Sequence, residues 1–555
     1  MTAEFPDVAG AFPRLGDDQL ELLARGGKRR PTARGEVLIA EGRRDRDFLV
    51  VLDGLVGVYE QYTTAGRRLL GAHGPGRFLD EIGLINRQPA FVSTVVLEDG
   101  AVLAVPVEVM HRVAGRNPAL GDLIVRALIR RRELLVGNVA GVHVVGSRFT
   151  PDTARLREFL ARNRVPCTWT DVEDDADAEA MLCRLGVGPG RTPLLICGQE
   201  TLHNPSNAEC AAAIGLAPVA DPPGHVYDLI VVGAGPAGLA AGVYGACEGL
   251  DTVVLDTVAA GGQAATSPLI ENYLGFPAGI SGAELADRAM VQADKFGAAL
   301  HVPRPAVGLA AGPAAGATHV VHVEGGDALP GRAVLIATGA RYRRLDVPGL
   351  AEFEGHGVYY AATFMETRMC RREPVVVVGG GNSAGQAALS LAERGASVRL
   401  VVRHDDLGRD MSRYLVEQLE QHPAVDVFRH ARVCALDGAD GRLGTVVVER
   451  VGSAARERLP ATRVFAFIGA DPCTGWLGGA VELDEQGFVR TDAGLRTSCA
   501  GVFAAGDVRS GAIRRVAAAV GDGALAVRQV HRYLTGEDSP PVDGHRSPGP
   551  ANAGR

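Results

Sequence analysis

One pattern narrows the fold more than any other, and it occurs twice: a Val/Ile-rich run, a glycine-punctuated turn, an Ala-rich helix and a second apolar strand. The first copy is Asp228-Leu-Ile-Val-Val-Gly-Ala-Gly-Pro-Ala-Gly-Leu239 and the second is Pro374-Val-Val-Val-Val-Gly-Gly-Gly-Asn-Ser-Ala384. Unbroken apolar runs of this kind suit strands buried on both faces, in a parallel sheet covered by helices. In the first copy Gly233, Gly235 and Gly238 stand in G-x-G-x-x-G register. Each position asks something different of glycine: a tight turn, close approach of backbone to a pyrophosphate, and close packing of helix on strand. The next strand, Thr252-Val-Val-Leu255, ends in Asp256, where a carboxylate accepts from ribose hydroxyls about 20 residues after the turn. The second copy carries Gly379, Gly381 and Ala384, with Asn382 and Ser383 at the helix start. Its following strand, Val398–Val402, runs into Arg403-His404 and not into an acid. A guanidinium pairs with a 2′-phosphate that a carboxylate would repel, so this site is expected to take NADPH in preference to NADH.

At 555 residues the chain exceeds what one hydrophobic core supports, so three to five domains are expected, roughly one per 100–200 residues. The net charge of −8 gives no general attraction to nucleic acid or anionic lipid. Met1–Gly10 lacks the basic and apolar segments of a secretory leader. The most hydrophobic stretch, Tyr227–Ala246, holds Asp228, a proline and five glycines, and so reads as strand–turn–helix and not as a membrane span. Nine cysteines are scattered without a Cys-x-x-Cys pair, which argues against structural zinc and against a secreted disulfide framework. The expectation is a cytoplasmic protein with no metal, no nucleic-acid partner and no membrane partner.

Residues 12–140 begin as short β-branched runs broken by glycine, Glu36–Ala40, Phe48–Leu52, Val56–Tyr59 and Ala101–Val105, followed by helical patterns near Val107–Ala114 and Pro118–Val136. This predicts a small β-roll closed by helices. Residues 141–220 switch to strand, helix Pro151–Asn163, strand, a second helix and a strand Pro193–Cys197. Asp221-Pro-Pro-Gly224 reads as a linker, and the Pro/Gly-rich 538–555 as a disordered tail.

The order Gly261-Gly262-Gln263, Glu271-Asn272, Ala337-Thr338-Gly339 and Gly501-Val-Phe-Ala-Ala-Gly506-Asp507 resembles the low-molecular-weight thioredoxin reductases over about residues 225–537. The resemblance implies an FAD-binding domain from 225–342 and 466–537 and an NADPH-binding domain at 343–465. FAD would lie on Gly233, Gly235, Gly238, Asp256, Gly262, Gln263, Asn272, Thr338, Gly339, Gly506 and Asp507, with Arg514, Arg515 and Val516 at a helix start near the flavin. NADPH would lie on Gly379, Gly381, Asn382, Ser383, Ala384, Arg403 and His404. A homodimer is implied, and hinges are expected near Arg341–Gly349 and Val464–Gly469. In the resembling enzymes the NADPH domain carries Cys-Ala-Thr-Cys. Here Ala361 and Phe364 stand at the two cysteine positions, and neither forms a thiolate.

Residues 12–140 resemble a cyclic-nucleotide-binding domain through Gly35-Glu36, Glu41-Gly42, Asp53-Gly54 and Phe78-Leu-Asp-Glu-Ile-Gly-Leu-Ile85. Asp80-Glu81 replaces the family's Gly-Glu, and Ala90 follows Pro89 where its phosphate-binding Arg belongs. Residues 141–220 resemble a glutaredoxin or thioredoxin, with Thr150-Pro-Asp-Thr153 in place of Cys-Pro-x-Cys and Thr192-Pro193 at the family's cis-proline. Thr150 is expected to cap the helix and Pro151 to open it. The fold expected is thus multidomain α/β, two Rossmann-like domains of three-layer ββα type preceded by a cyclic-nucleotide-binding-like β-roll and a thioredoxin-like domain. The function implied is hydride transfer from NADPH to FAD and on to a small redox protein or small molecule, with a small ligand possible at the roll. Two alternatives stand beside it: a thioredoxin-disulfide reductase using non-adjacent cysteines such as Cys370 and Cys473, and a ligand- or redox-sensing flavoprotein.

Overall fold

The computed structural model describes the chain apart from residues 1–3, 9, 45, 61–66, 81, 85–87, 139–141, 174–191, 198–199, 218–220, 223, 268, 313, 315, 354–356, 361–369, 371, 440, 454 and 538–555. Glu81, Ala361, Phe364, the second helix expected in 141–220 and the tail therefore lie outside the described residues. Among the described residues no helix is long and apolar enough to cross a membrane.

The first module is a five-stranded antiparallel roll: β1 (Lys28–Thr32), β2 (Val37–Ile39), β3 (Phe48–Glu60), β4 (Arg68–His73) and β5 (Ser93–Val105), in the order β1-β5-β3-β4 with β2 on β5. Two strands were expected where β3 runs as one. Shifts of register against β5 between Val51 and Val56 absorb the irregularity at Asp53-Gly54, so pairing continues through it. The helices Val107–Arg116 and Pro118–Asn138 close the roll over Phe48, Phe78, Leu103 and Ile124. Arg131, 3% exposed, ties these parts together. Its guanidinium donates to Ala11 O at 2.7 Å, Phe78 O at 2.8 Å and Asp80 O at 2.9 Å, and lies 4.3 Å from the centre of the Phe78 ring. A buried guanidinium is tolerable because its donors find carbonyls.

The second module has four strands, β6 (Val142–Val145), β7 (Cys167–Thr170), β8 (Leu194–Cys197) and β9 (Glu200–His203), in the order β7-β6-β8-β9. β6 and β7 are parallel, and the other pairings are antiparallel. The helix Pro151–Arg162 connects β6 to β7, opens with Pro151 and buries Leu156, Phe159 and Leu160. The Thr192–Pro193 peptide is cis.

Tyr227–Ala246 is a strand, a turn and a helix, as its glycines require: β10 (Tyr227–Val232) leads into the helix Pro236–Cys247. With β11 (Thr252–Leu255), β12 (Ala299–His301), β13 (Ala306–Ala310), β14 (His319–Val323) and β15 (Ala328–Ile336) it forms the order β12-β11-β10-β15-β14-β13, and Val502–Ala504 joins β15. The second nucleotide domain orders Val358–Tyr359, Arg463–Ala466, Pro374–Val378, Ser397–Val401 and Val425–Phe428 side by side, all parallel. The strand expected at 398–402 lies one residue earlier. Where the chain crosses between the two domains, Ala340–Tyr342 pairs antiparallel with Ala470–Pro472.

His73, 3% exposed, packs against Phe5 and Phe12. Burial, reinforced by Arg131 and Arg77, holds its imidazole well below the usual range. The folded roll keeps His73 neutral while the unfolded chain takes up a proton. This contribution is complete above about pH 6.5 and declines as pH falls, by about 1.4 kcal/mol per pH unit until the folded-state pKa is reached. A His73→Phe variant should show a shallower loss of melting temperature over roughly pH 7 to 5 than the wild type. Parallel curves would remove His73 from this account.

Candidate functional site

The three glycines of the first turn do separate work. Gly233 has φ +111°, and a Cβ there would sit 2.3 Å from Ala337 O. At Gly238 a Cβ would sit 1.7 Å from Gly233 O, so only glycine lets the helix lie this close to the strand. Gly235 differs. It caps the helix with no side chain, and a Cβ would meet nothing nearer than Gly262 Cα at 3.9 Å. The space before its backbone is open, at the end of a helix whose first N–H groups lack intrahelical acceptors.

Asp256 follows β11 as expected. Its carboxylate accepts from Ala234 N at 2.8 Å and Val258 N at 3.0 Å, which ties the end of β11 to the glycine turn. Each oxygen keeps a lone pair for a ribose hydroxyl. Gly261 N donates to Ala234 O, so the Gly261-Gly262-Gln263 segment lies against the same turn. Thr338 Oγ1 donates to Cys473 O at 2.8 Å and Gly339 O accepts from Cys473 N at 3.0 Å, closing the far wall. Asn272 is exposed on the loop after the turn 264–266.

Gly506 and Asp507 sit in a short turn beneath the 20-residue helix Val516–Thr535. Gly506 N donates to Asp522 at 3.0 Å, and a Cβ on Gly506 would lie 3.0 Å from Ala237 Cβ. Burial pushes the Asp507 carboxyl up, Arg514 opposes this and Asp522 adds to it. Arg515 is the N-cap of the long helix and Val516 its first residue, while Arg514 is exposed with its guanidinium 5.2 Å from the Phe488 ring centre. The start of 236–247 packs against the interior of 516–535 so closely that a Cβ on Gly523 would fall 2.2 Å from Ala237 O, and a Cβ on Gly506 would lie between Ala237 and Ala519 of the two helices, at 3.0 and 3.6 Å.

The second turn repeats the device. Gly379 has φ +138° with a would-be Cβ 2.2 Å from Phe467 O, whereas Gly381 caps its helix with only Asp410 O near, at 3.7 Å. Ala384 is fully buried at the helix–strand contact. Asn382 Oδ1 accepts from Ser412 N at 2.6 Å, fastening the next loop; Ser383 follows on the same helix. Arg403 is exposed and His404 half-buried just past the strand. The structure adds Arg409, which sequence reasoning missed: its Nη1 lies 3.4 Å from His404 Nδ1. The five-residue spacing and the intervening Asp405 and Asp406 hid it. Those acids are turned to other work, Asp405 pairing with His430 at 2.5 Å and Asp406 capping Gly408 at 2.7 Å.

Thr150 stands at the N-cap but does not cap the helix through its side chain. Its hydroxyl instead donates to Ser147 O at 3.1 Å and lies 2.6 Å from Oγ1 of Thr153, which is 1% exposed. In the roll, Asp80 pairs with Arg46, both side chains under 5% exposed. Every cysteine among the described residues is a free thiol. Cys370 is fully buried, and burial pushes the Cys473 thiol up against the opposing pull of Arg341.

Residues 227–523 match the pyridine nucleotide-disulphide oxidoreductase family and residues 29–117 the cyclic nucleotide-binding domain family. The chain is 36% identical over 308 residues to a thioredoxin reductase of Treponema pallidum, covering 56% of this chain and 97% of that protein. Among solved structures it is similar to the Lactococcus lactis thioredoxin reductase (TM-score 0.53, 29% identity, 56% of this chain and 99% of that one). A second is the T. acidophilum thioredoxin reductase (TM-score 0.52, 30% identity, the same coverage).

The crowding at Gly238 and the openness at Gly235 predict opposite behaviour. Without added nucleotide, Gly238→Ala should destabilise the protein by about 3 kcal/mol or more. Gly235→Ala should leave the unfolding midpoint nearly unchanged while weakening dinucleotide binding. Equal destabilisation by the two substitutions would contradict the assigned roles.

Proposed function

This chain belongs to the pyridine nucleotide-disulphide oxidoreductase family, and from that premise we propose that it oxidises NADPH through bound FAD and passes electrons to an acceptor without an adjacent dithiol. The observation that carries this reading is the pair of open helix caps, Gly235 and Gly381, each between glycine or alanine positions that are crowded. A turn built only for packing has no use for an open backbone in the middle of the fingerprint. When bound, FAD and NADPH supply the redox chemistry, hydride passing from nicotinamide to isoalloxazine and two electrons on to the acceptor.

The chain's own residues bind and orient. Gly235, Asp256, Gly262 and Gln263 hold the pyrophosphate and ribose end of FAD, with Asn272, Thr338 and Gly339 along its length. Gly506, Asp507, Arg514, Arg515 and Val516 bring the N-terminus of the long helix to the flavin, where its partial positive charge favours the reduced form. Gly379, Gly381, Asn382, Ser383 and Ala384 cradle NADPH, and Arg403, His404 and Arg409 take its 2′-phosphate. Ala361 and Phe364 leave no sulfur at the expected positions, which favours a protein electron carrier, a quinone or oxygen as acceptor. A homodimer belongs to the same reading. Exposed Leu274, Leu269 and Tyr244 offer apolar surface for it.

Purified protein should be yellow and should bleach anaerobically with NADPH. Arg403→Ala should raise the NADPH concentration required about tenfold and leave NADH little affected, since a charge-assisted bond is lost. A colourless protein that takes up no FAD would end the proposal.

We read the second module as a thioredoxin-like docking module that has lost its redox function. Its strand order, its helix after β6 and the contact of Thr150 with Thr153 beside Pro193 support this. A Cβ on Gly146 would lie 2.4 Å from Thr153 Oγ1 and 3.0 Å from Pro193 Cβ, so the three positions share one small space. Thr150→Cys with Thr153→Cys should form a disulfide. After mild oxidation the denatured double variant should titrate the same number of thiols as the wild type, and two more after reduction. Two additional thiols persisting through oxidation would refute the placement.

A further inference from the structure

The feature left unexplained is the corner where the helix Pro151–Arg162 ends. Arg162, Asn163 and Arg164 follow one another there, and each reaches a neighbour outside its own module. Arg162 Nη2 donates to Gly262 O at 3.2 Å, and Asn163 Nδ2 donates to Val258 O at 2.9 Å. Two side chains of the second module thus hold both ends of the Val258–Gly262 turn. That turn forms one wall of the first cradle: a Cβ on Gly262 would sit 2.9 Å from Gly235 Cα. Its position sets the width left for a pyrophosphate.

Arg164 anchors the corner. It has φ +53° and pairs with Asp287, which is 3% exposed on the helix Gly282–Phe296. Its carbonyl accepts from Arg132 Nη1 at 3.1 Å. Arg132 belongs to the roll and is 1% exposed. Its Nη2 donates to Gln88 Oε1 at 2.8 Å, and its guanidinium lies 4.7 Å from the Phe91 ring centre. Gln88 O in turn accepts from Arg46 Nη1 at 2.7 Å, and Arg46 Nη2 holds Asp80 Oδ1 at 2.9 Å. The hydrogen bonds are continuous from Asp80 and Gln88 of the roll to the corner, and the corner holds the cradle wall. A guanidinium suits each junction because it fixes several acceptors in one plane.

We propose that Arg162 and Asn163 are positioning residues for the flavin-phosphate turn, set in place by Arg132 of the roll through Arg164. The first two modules are then parts of the cofactor site and not appendages to it. The proposal rests on the reading that FAD occupies the first cradle. A contiguous network is a physical route for coupling, and it needs a direct measurement of coupling.

The test is FAD titration of the full-length apoprotein by flavin fluorescence quenching, with the apoprotein's melting temperature recorded beside it. Arg162→Ala with Asn163→Ala should raise the Kd for FAD about tenfold and lower the apoprotein's melting temperature by only about 2–4 °C, Asn163 also donating to Phe159 O at 2.8 Å. Arg162→Lys should recover most of the affinity lost in Arg162→Ala, because one donor to Gly262 O suffices. Gln88→Leu, which removes the acceptor of Arg132 Nη2, should raise the Kd about threefold. An unchanged Kd in the double variant would overturn the proposal. So would a rise matched by an equal fall in apoprotein stability, or a lysine that restores nothing. An unchanged Kd in Gln88→Leu would overturn the roll's part. Failure of the wild type to bind FAD would strike the reading of the cradle itself, a different outcome from all of these.

Discussion

The C-terminal half of this protein depends on how closely a helix can approach the strand that feeds it. At Gly238 the helix lies within van der Waals contact of Gly233 O, which leaves no room for any side chain. That contact aims the first turn of the helix, with its unpaired N–H groups, across the sheet edge at the end of β10. The same geometry at Gly379 and the buried Ala384 aims the second helix. Binding of phosphate at such a terminus draws on backbone groups that exist in every helix. The glycines' contribution is access. Asp256 adds the polarity that backbone lacks, and it also pins Ala234 and Val258, so one carboxylate both shapes the turn and stays available to a ribose.

The N-terminal modules pack on this core through charge as much as through apolar contact. The helix Gly282–Phe296 is the seam. Its Glu284, Arg288 and Asp294 face Arg130, Asp122 and His111 of the roll at 3.7 to 3.9 Å. Exposed pairs of this length add little stability each; they fix which faces meet. The buried Arg164–Asp287 contact behaves differently. Burial pushes the Asp287 carboxyl up to about 6, against the pull of Arg164 and Arg132, so removing either partner leaves an uncompensated group in a dry place. The second module also reaches the other nucleotide domain, where Phe149 lies over Gly441, a glycine at φ +67°. It therefore touches both halves of the redox unit.

What was legible in the sequence was local. The period of the apolar runs and the glycine spacing identify β10, its helix and their second copy, since both are decided within about a dozen residues. Gly233, Gly235, Gly238 and Asp256 meet where expected. Asp53-Gly54 looks like a break between two strands, and only pairing with β5 shows that β3 bridges it. Thr150 was expected to cap its helix, and it faces Thr153 instead. Neither Arg46–Asp80 nor Arg132–Arg164 was foreseen. Partners separated by 32 or more residues carry no periodic signature, and an isolated Arg in an amphipathic helix looks like surface until its burial is known.

The two threonines of the second module bear on the same chemistry as Ala361 and Phe364. A hydroxyl pair at 2.6 Å keeps the short separation a dithiol needs and removes its electron transfer, because an alcohol has no accessible thiolate or disulfide state. Pro151 opens the helix behind this pair, so the hydroxyls stand at a helix start with no sulfur beside them. The absence of cysteine at 150, 153, 361 and 364 alike is accommodated by the single change of acceptor proposed above. If electrons leave the flavin directly, the second module has no substrate to reduce, and what remains for it is the positioning role proposed for its corner.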